Sequence, residues 1–125
     1  MQLFHDVSRN CSKLTTHTYS TSFSSAIKLL HKDLQTPIYN IYGFVRFADE
    51  IVDTFHQHNK YELLAEFKKE TYNAIKRNIS LNPIIHSFQQ TVNEYNIDHK
   101  LLEAFFNSME YDLNKTKYNI ATYKQ

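Results

Sequence analysis

Apolar residues recur every three or four positions in the first third of the chain, which is the period of an α-helix. One helical face collects Phe4, Val7, Cys11 and Leu14. It predicts a helix from about Asp6 to Thr18 that is buried along this face. The polar stretch from His17 to Ser22 should then interrupt the helix, because Ser and Thr side chains compete for backbone hydrogen bonds. A short apolar stripe follows, formed by Phe23, Ala26, Ile27 and Leu30.

The longest run at helical period lies in the middle of the chain. Its apolar positions are Ile38, Ile41, Tyr42, Val45, Ala48, Ile51, Val52 and Phe55. They predict a long helix that ends near Phe55, with Pro37 in its first turn and Asp33 or Thr36 as its N-cap. The polar segment from Thr54 to Lys60 reads as a link.

Three more helices are expected in the second half. An amphipathic helix spans Tyr61 to Asn78, and the cluster Ser80, Asn82 and Pro83 marks a break. A short helix then carries Ile84, Ile85, Phe88, Val92 and Tyr95. Asp98 is a good N-cap for a last helix. The expected buried side of that helix holds Leu101, Leu102, Phe105, Phe106, Met109, Leu113 and Tyr118.

Composition narrows the fold class. The 125 residues include one Gly and two Pro, which excludes glycine-rich phosphate loops and predicts an all-α chain of long helices in one domain. The formal net charge of +1 gives no basic excess of the kind that nucleic-acid binding requires. The single cysteine rules out an internal disulfide. No apolar run approaches the ~20 residues that cross a bilayer.

Candidate chemistry concentrates on the central helix, where Tyr42, Arg46, Asp49 and Asp53 follow one another at helical spacing. Asp49 and Asp53 are four residues apart, so their carboxylates share one face. Such a pair suits Mg²⁺, which binds through one or two carboxylates plus substrate phosphates. The alternative is a solvated helix face with an Arg–Asp pair, and the spacing alone leaves both open.

Two other polar features lie near apolar stripes. Asp112 falls beside the buried side of the last helix, where pairing with Lys115 or Lys117 is the simpler explanation. Ser20 and Ser22 stand at a helix start, where hydroxyl and N–H groups suit an anion such as phosphate. Ordinary capping is the much commoner reason for serines at a helix start.

Taken together, these segments resemble the squalene/phytoene synthase family. The resemblance rests on the runs 20–24 and 41–53, on Met109-Glu110-Tyr111-Asp112-Leu113, and on the spacing Tyr-x-x-x-Arg-x-x-Asp-Glu-x-x-Asp. The pattern looks closest to bacterial phytoene and dehydrosqualene synthases. The family is all-helical, of the isoprenoid synthase type, and joins two isoprenoid diphosphates head to head.

The resemblance implies roles for seven residues. Asp49 and Asp53 would form an aspartate-rich motif that holds Mg²⁺ on a substrate diphosphate. Substrate contacts would come from Ser20, Ser22, Tyr42, Arg46 and Asp112. Lys117 departs from the Arg that many members carry before the Tyr.

The implied activity is a prenyltransferase of carotenoid or terpenoid biosynthesis that acts on farnesyl or geranylgeranyl diphosphate. Residues 1–125 would be the N-terminal portion of one isoprenoid synthase domain, because a second aspartate-rich motif is expected downstream. We expect this portion to be inactive alone, and either to self-associate through exposed Phe and Tyr side chains or to collapse over them. A cytoplasmic location is expected, with peripheral membrane contact left open.

Two other functions compete with this one. A non-catalytic helical assembly or interaction protein of the same superfamily would keep the fold without turnover, although retention of Tyr42, Arg46, Asp49 and Asp53 together argues against loss of activity. A small helical interaction domain with a solvated acidic stripe, unrelated to the family, is the third possibility.

Overall fold

The computed structural model describes the backbone of residues 1–123 and the side chains of residues 1–115. Over this range the chain is built from six α-helices and contains no strand, which confirms the all-α prediction. The helices are α1 (Gln2–Tyr19), α2 (Thr21–Ile27), α3 (Lys32–Asp53), α4 (Lys60–Arg77), α5 (Pro83–Tyr95) and α6 (His99–Tyr123). Helix α3 lies at the centre and packs against α1, α4, α5 and α6.

Short polar side chains cap several helix ends, as the sequence indicates. Asn59 caps α4, and Asn82 caps α5 by accepting from two backbone N–H groups just after Pro83. Asp98 accepts from the N–H of Lys100 at 2.9 Å, which confirms it as the cap of α6. These caps satisfy N–H groups that the first turn of a helix leaves unpaired.

The predicted start of α3 is wrong. The helix begins at Lys32, and the ring of His31 accepts the N–H of Asp33 at 3.2 Å, so neither Asp33 nor Thr36 is the N-cap. Pro37 consequently lies inside the helix rather than in its first turn. Its missing N–H removes one helical hydrogen bond, a loss that packing of the rest of α3 tolerates.

The polar stretch near residue 20 interrupts the chain less than expected. Helix α1 continues through Tyr19, and α2 begins at Thr21, so only Ser20 has extended backbone. Of the apolar stripe predicted here, Ile27 is buried, whereas Phe23 and Leu30 are exposed.

The predicted buried face of α1 is confirmed only in part, because Cys11 packs against the core and Phe4 contacts the ring of His86, whereas Val7 and Leu14 point outward. Val7 and Leu14 are 54% and 67% exposed, and the helix turns its small polar side chains inward instead. These are Ser8, Ser12, Thr15 and Thr16. They face α3 and α5, the two helices against which α1 mainly packs.

Small side chains let α1 approach α3 closely. A Cβ added at Gly43 would lie 3.2 Å from the Cα of Ser12, so a side chain at this position on α3 would require α1 to shift by a few tenths of an ångström. The hydroxyl of Ser12 bonds that of Ser87 on α5 at 2.6 Å, and the hydroxyl of Thr16 donates to the carbonyl of Ser12. Internal hydrogen bonds of this kind offset the cost of burying hydroxyl groups.

The apolar core lies between α3, α4, α5 and α6 and centres on Phe44. Its ring stacks on Phe88 with centroids 3.7 Å apart and also contacts Phe67, Phe105 and Phe106. The predicted inner side of α6 is largely confirmed through Leu102, Phe105, Phe106, Met109 and Leu113. Leu101 instead points outward, and the side chain of Tyr118 lies outside the described residues.

None of the helices, over the residues described, combines the length and apolar character that a bilayer-spanning segment needs.

Candidate functional site

The polar residues of interest lie on the last two turns of α3. Arg46 and Glu50 form an ion pair there, with an N–O distance of 2.8 Å, and both side chains are largely buried. Their i, i+4 spacing is the geometry in which opposite charges meet on a helix. The sequence pattern singled out Arg46 with Asp49, so the Glu50 partner was missed although its spacing was a readable signal.

A second contact holds the guanidinium of Arg46 from another helix. The group lies over the ring of Tyr19, at 4.9 Å from its centroid, in a cation–π arrangement. Tyr19 is the last residue of α1, so this contact joins the end of α1 to the middle of α3. The residues around Tyr19 carry no pattern that indicates which helix its ring contacts, so this role could not be predicted from the sequence.

Nε of Arg46 is buried without a hydrogen-bond partner among the described residues. The guanidinium therefore has donor capacity that Glu50 does not use. Burying an unpaired donor costs free energy, and a bound anion would supply the missing partner.

Asp49 is the carboxylate most perturbed by its surroundings. Partial burial raises the pKa of Asp49 above its ordinary value, and the charges of Asp53, Asp112 and Glu50 raise it further. The positive charge of Arg46 opposes them. Four carboxylates thus share the electrostatic surroundings of one arginine, an arrangement that favours uptake of a cation or of protons.

The two carboxylates predicted as metal ligands differ in exposure. Asp49 is partly buried, whereas Asp53 is the last residue of α3 and is exposed. Asp112, on α6, is partly buried and close enough to act on Asp49. Across the part of the chain with described side chains, no three His, Cys, Asp or Glu side chains converge as a ready-made metal cage.

The serines lie at the junction of α1 and α2. The hydroxyl of Ser20 accepts the N–H of Phe23 at 3.0 Å and so caps α2, while Ser22 is exposed. Phe23 stacks on Tyr42 of α3, with centroids 4.9 Å apart. This stacking holds residues 20–24 against α3. Ser20 directly follows Tyr19, whose ring contacts the guanidinium of Arg46.

A cavity of about 590 Å³ adjoins the Arg46–Glu50 pair. It is lined by Tyr19, Phe47, Glu50, Ile51, Phe55, Leu63, Glu66, Phe67, Glu70, Asn82 and Ile85. Most of these side chains are apolar. Among the described residues Glu50 lines the cavity, whereas Asp49 and Asp53 do not.

Three phenylalanines, Phe47, Phe55 and Phe67, line this cavity. Phe44 and Phe105 belong to the core, and Phe23 is exposed beside Tyr42.

Comparison of the sequence with known proteins identifies its family. Searches of curated proteins and of solved structures return no match. A family model described as squalene/phytoene synthase matches residues 16–125, a range that includes Tyr19, both serines and the acidic end of α3. This chain belongs to the squalene/phytoene synthase family.

Proposed function

We propose that this protein acts in the head-to-head condensation of two isoprenoid diphosphates, farnesyl or geranylgeranyl, within carotenoid or related terpenoid biosynthesis. The family carries out head-to-head isoprenoid condensation. The observation that carries the proposal is the crowding of carboxylates around Asp49 beside a buried arginine. Such a cluster would hold a cation and, through it, a diphosphate.

The donor set suits Mg²⁺. Asp49 and Asp53 offer oxygen ligands one helical turn apart, and burial together with the neighbouring carboxylates raises the pKa of Asp49, which a bound cation would offset. With two protein carboxylates, the remaining ligands would be waters and diphosphate oxygens, which is how Mg²⁺ is commonly bound. When bound, the ion would neutralise the charge that develops on the departing diphosphate.

Arg46 would donate hydrogen bonds to the diphosphate. Its guanidinium is already oriented by Glu50 and by the ring of Tyr19, so little side-chain entropy is lost on binding. The hydroxyls of Ser20 and Ser22 lie on the segment that follows Tyr19 and would add neutral donors. Charge-assisted bonds from arginine to phosphate are stronger than neutral ones, so Arg46 should dominate affinity.

The cavity beside Glu50 would receive an isoprenoid chain. Its volume of about 590 Å³ lies within the range of small-molecule sites, and Phe47, Ile51, Phe55 and Phe67 supply apolar walls. An apolar wall excludes water from the carbocation formed when diphosphate leaves. Aromatic faces also attract a cation.

Binding of inorganic diphosphate tests the proposal without requiring turnover. Isothermal titration of the 125-residue chain with diphosphate and Mg²⁺ should give saturable binding that disappears when Mg²⁺ is omitted. Asp49→Asn should weaken this binding by tenfold or more, roughly 1.4 kcal/mol, because an amide is a poorer ligand than a carboxylate. Asp33→Asn, an exposed change on the same helix, should leave it unaltered.

Two results would contradict the proposal. Equal binding with and without Mg²⁺ would exclude the metal role, and equal loss in the Asp33 control would show a general charge effect. A non-catalytic assembly protein of the same superfamily predicts no diphosphate binding at all. Turnover of farnesyl or geranylgeranyl diphosphate, assayed alongside, separates binding from catalysis.

A further inference from the structure

Helix α1 carries an apolar stripe on the side that faces away from the rest of the molecule. Leu3, Val7 and Leu14 are 81%, 54% and 67% exposed, and Asn10 between them is exposed as well. At 100° per residue this stripe lies opposite the small polar residues that pack on α3 and α5. We call it the α1 outer face, defined by residues 3, 7, 10 and 14.

The spacing of the α1 outer face is that of a helix-pairing seam. Its members are separated by four, three and four residues, which is the alternation of the a and d positions of a heptad. The sequence pattern had placed Val7 and Leu14 in the core, and burial of the opposite side leaves them without that role.

The charged residues along one edge of the α1 outer face indicate which partner would bind it. Asp6 and Lys13 lie seven residues apart, at equivalent positions of successive heptads, and they carry opposite signs. Asp6 accepts hydrogen bonds from Gln2 and Arg9 of its own helix, and Lys13 lies over the ring of Tyr39 on α3, so both side chains lie at the edge of α1 that borders α3.

We propose that the α1 outer face binds a second copy of the same chain, with the two helices antiparallel about a two-fold axis. In that register Leu3 faces the partner's Leu14, and Val7 faces the partner's Asn10. Asp6 then meets the partner's Lys13, and symmetry repeats the pair, as an isologous contact requires. A parallel pairing would place Asp6 beside the partner's Cys11 and lose both ion pairs.

The same charges argue against an anionic membrane as the occupant. A membrane-binding helix flanks its apolar face with Lys and Arg, whereas this edge carries one acid and one base. Asn10 in the middle of a two-heptad seam lowers the affinity, since a polar residue at such a position costs stability. The expected assembly is therefore a weak, concentration-dependent dimer. It is independent of the proposed function, because it uses no residue assigned to diphosphate binding.

Sedimentation equilibrium over about a hundredfold range of concentration tests the proposal. The wild-type chain should pass from monomer to dimer. Leu14→Lys should weaken dimerisation by roughly tenfold or more, because it places two charges in the seam. Leu29→Lys is the matched control, since Leu29 is 88% exposed at the end of α2 and lies outside the α1 outer face. Both substitutions are on the surface, and circular dichroism should show unchanged helix content.

Exchanging the two charges tests the antiparallel register. Asp6→Lys or Lys13→Asp alone should weaken the dimer, because each creates like-charge pairs, and the double exchange should restore it. A monomer at every concentration would overturn the proposal. So would equal weakening by Leu29→Lys, or failure of the double exchange to recover the dimer. If Leu14→Lys abolishes co-sedimentation with phosphatidylserine vesicles and leaves self-association unaltered, the face binds a membrane and the proposal is wrong.

Discussion

Asp49 occupies a position where its own negative charge is disfavoured. Burial and the carboxylates of Asp53, Asp112 and Glu50 all raise its pKa, and only Arg46 acts in the opposite direction. Arg46 is itself held by Glu50 at 2.8 Å and therefore compensates Asp49 incompletely. The folded chain keeps this uncompensated charge at the site proposed to take up a cation.

Replacing Asp49 by Asn should therefore stabilise the metal-free protein slightly. At neutral pH the gain in free energy of unfolding should be positive and below about 1 kcal/mol, because the partly exposed carboxylate is screened by solvent. The folded-state pKa lies above the ordinary value of 3.8, so the folded chain binds a proton first as the pH falls. The gain should shrink through that range and vanish below the ordinary value.

Urea unfolding of wild type and Asp49→Asn at pH 7 and near pH 4 measures this difference. Asp33→Asn again serves as the exposed control. A loss of stability in Asp49→Asn at neutral pH would mean that the carboxylate makes a favourable contact that outweighs its burial. Addition of Mg²⁺ and diphosphate should make the wild type more stable to urea than Asp49→Asn, because only the wild type binds these ligands well.

His86, on α5, is a second group whose pKa is shifted by its surroundings. Its side chain is fully buried, Nδ1 accepts the N–H of Ser80 at 3.2 Å, and Nε2 lies 2.8 Å from Nδ1 of His5. The backbone donor at Nδ1 leaves Nε2 to carry the proton of the neutral ring. Burial lowers the pKa of His86, and the nearby His5 lowers it further.

Stability should consequently fall as the solution becomes acidic. The unfolded chain protonates His86 near the ordinary pKa of 6.5, whereas the folded chain resists protonation until a lower pH. The free energy of unfolding should therefore decline below about pH 6.5 and stop declining once the folded-state pKa is passed. His86→Gln should reduce the slope between about pH 7 and pH 5 even if it lowers stability throughout. The exposed His99→Gln should leave the slope unaltered, and a matching reduction there would contradict this assignment.

At the scale of the helices, sequence patterns identified the elements better than the faces they bury. Asn82 with Pro83 and Asp98 have local chemistry that starts a helix, so those boundaries could be predicted. Helix α1 could not be oriented in this way, because its contacts are made by small hydroxyl side chains. A hydrophobic period records where large apolar residues lie, and in α1 Leu3, Val7 and Leu14 lie outside.

In the candidate site, too, local features could be predicted from the sequence and contacts between helices could not. Asp49, Asp53 and Arg46 could be placed on one helix from their spacing alone. The contact of Tyr19 with Arg46 depends on how the end of α1 meets α3, and Asp112 reaches Asp49 only through the packing of α6. Contacts of this kind between distant segments leave no periodic trace in the sequence.

Gly43 tests the close approach of α1 and α3. Gly43→Val should lower the free energy of unfolding by about 2 kcal/mol, because the new side chain meets the backbone of Ser12 and requires α1 to shift. Ala65→Val, on the exposed face of α4, controls for the lower helix propensity of Val and should cost less than about 1 kcal/mol.

Urea denaturation of these variants, together with a Gly43→Val, Ser12→Gly cycle, measures the coupling. Removing the Ser12 side chain should lower the cost of Val at position 43. An interaction energy of zero would show that another contact limits the space there.

At the scale of the whole molecule, the helices differ in how firmly they are held. Helix α5 buries eight residues, including Ile84, Ile85 and Phe88, and packs against α1, α3 and α4. Helix α2 has seven residues, of which only Ser24 and Ile27 are buried. Its Phe23 ring stacks on Tyr42 of α3. The candidate site therefore combines one weakly held helix with the central one.

Amide hydrogen exchange should reflect this arrangement. The slowest amides should lie in α5 and the fastest helical ones in α2, since exchange follows local burial and contact density. Adding diphosphate with Mg²⁺ should slow exchange in residues 20–24 and leave α5 unchanged, because binding holds the serine segment against α3. Uniform slowing across all helices would indicate global stabilisation without local ordering at the site.

The packing of α1 through small hydroxyl side chains also bears on how the sequence can drift over generations. Selection should remove substitutions of Ser8 or Ser12 by a larger apolar residue, because the buried space there is small. A hydrophobicity scale alone would score the same substitutions as acceptable in a core. Leu3 and Leu14 can become polar without loss of the fold. Selection that keeps them apolar in descendants of this gene would therefore record a requirement for association rather than for folding.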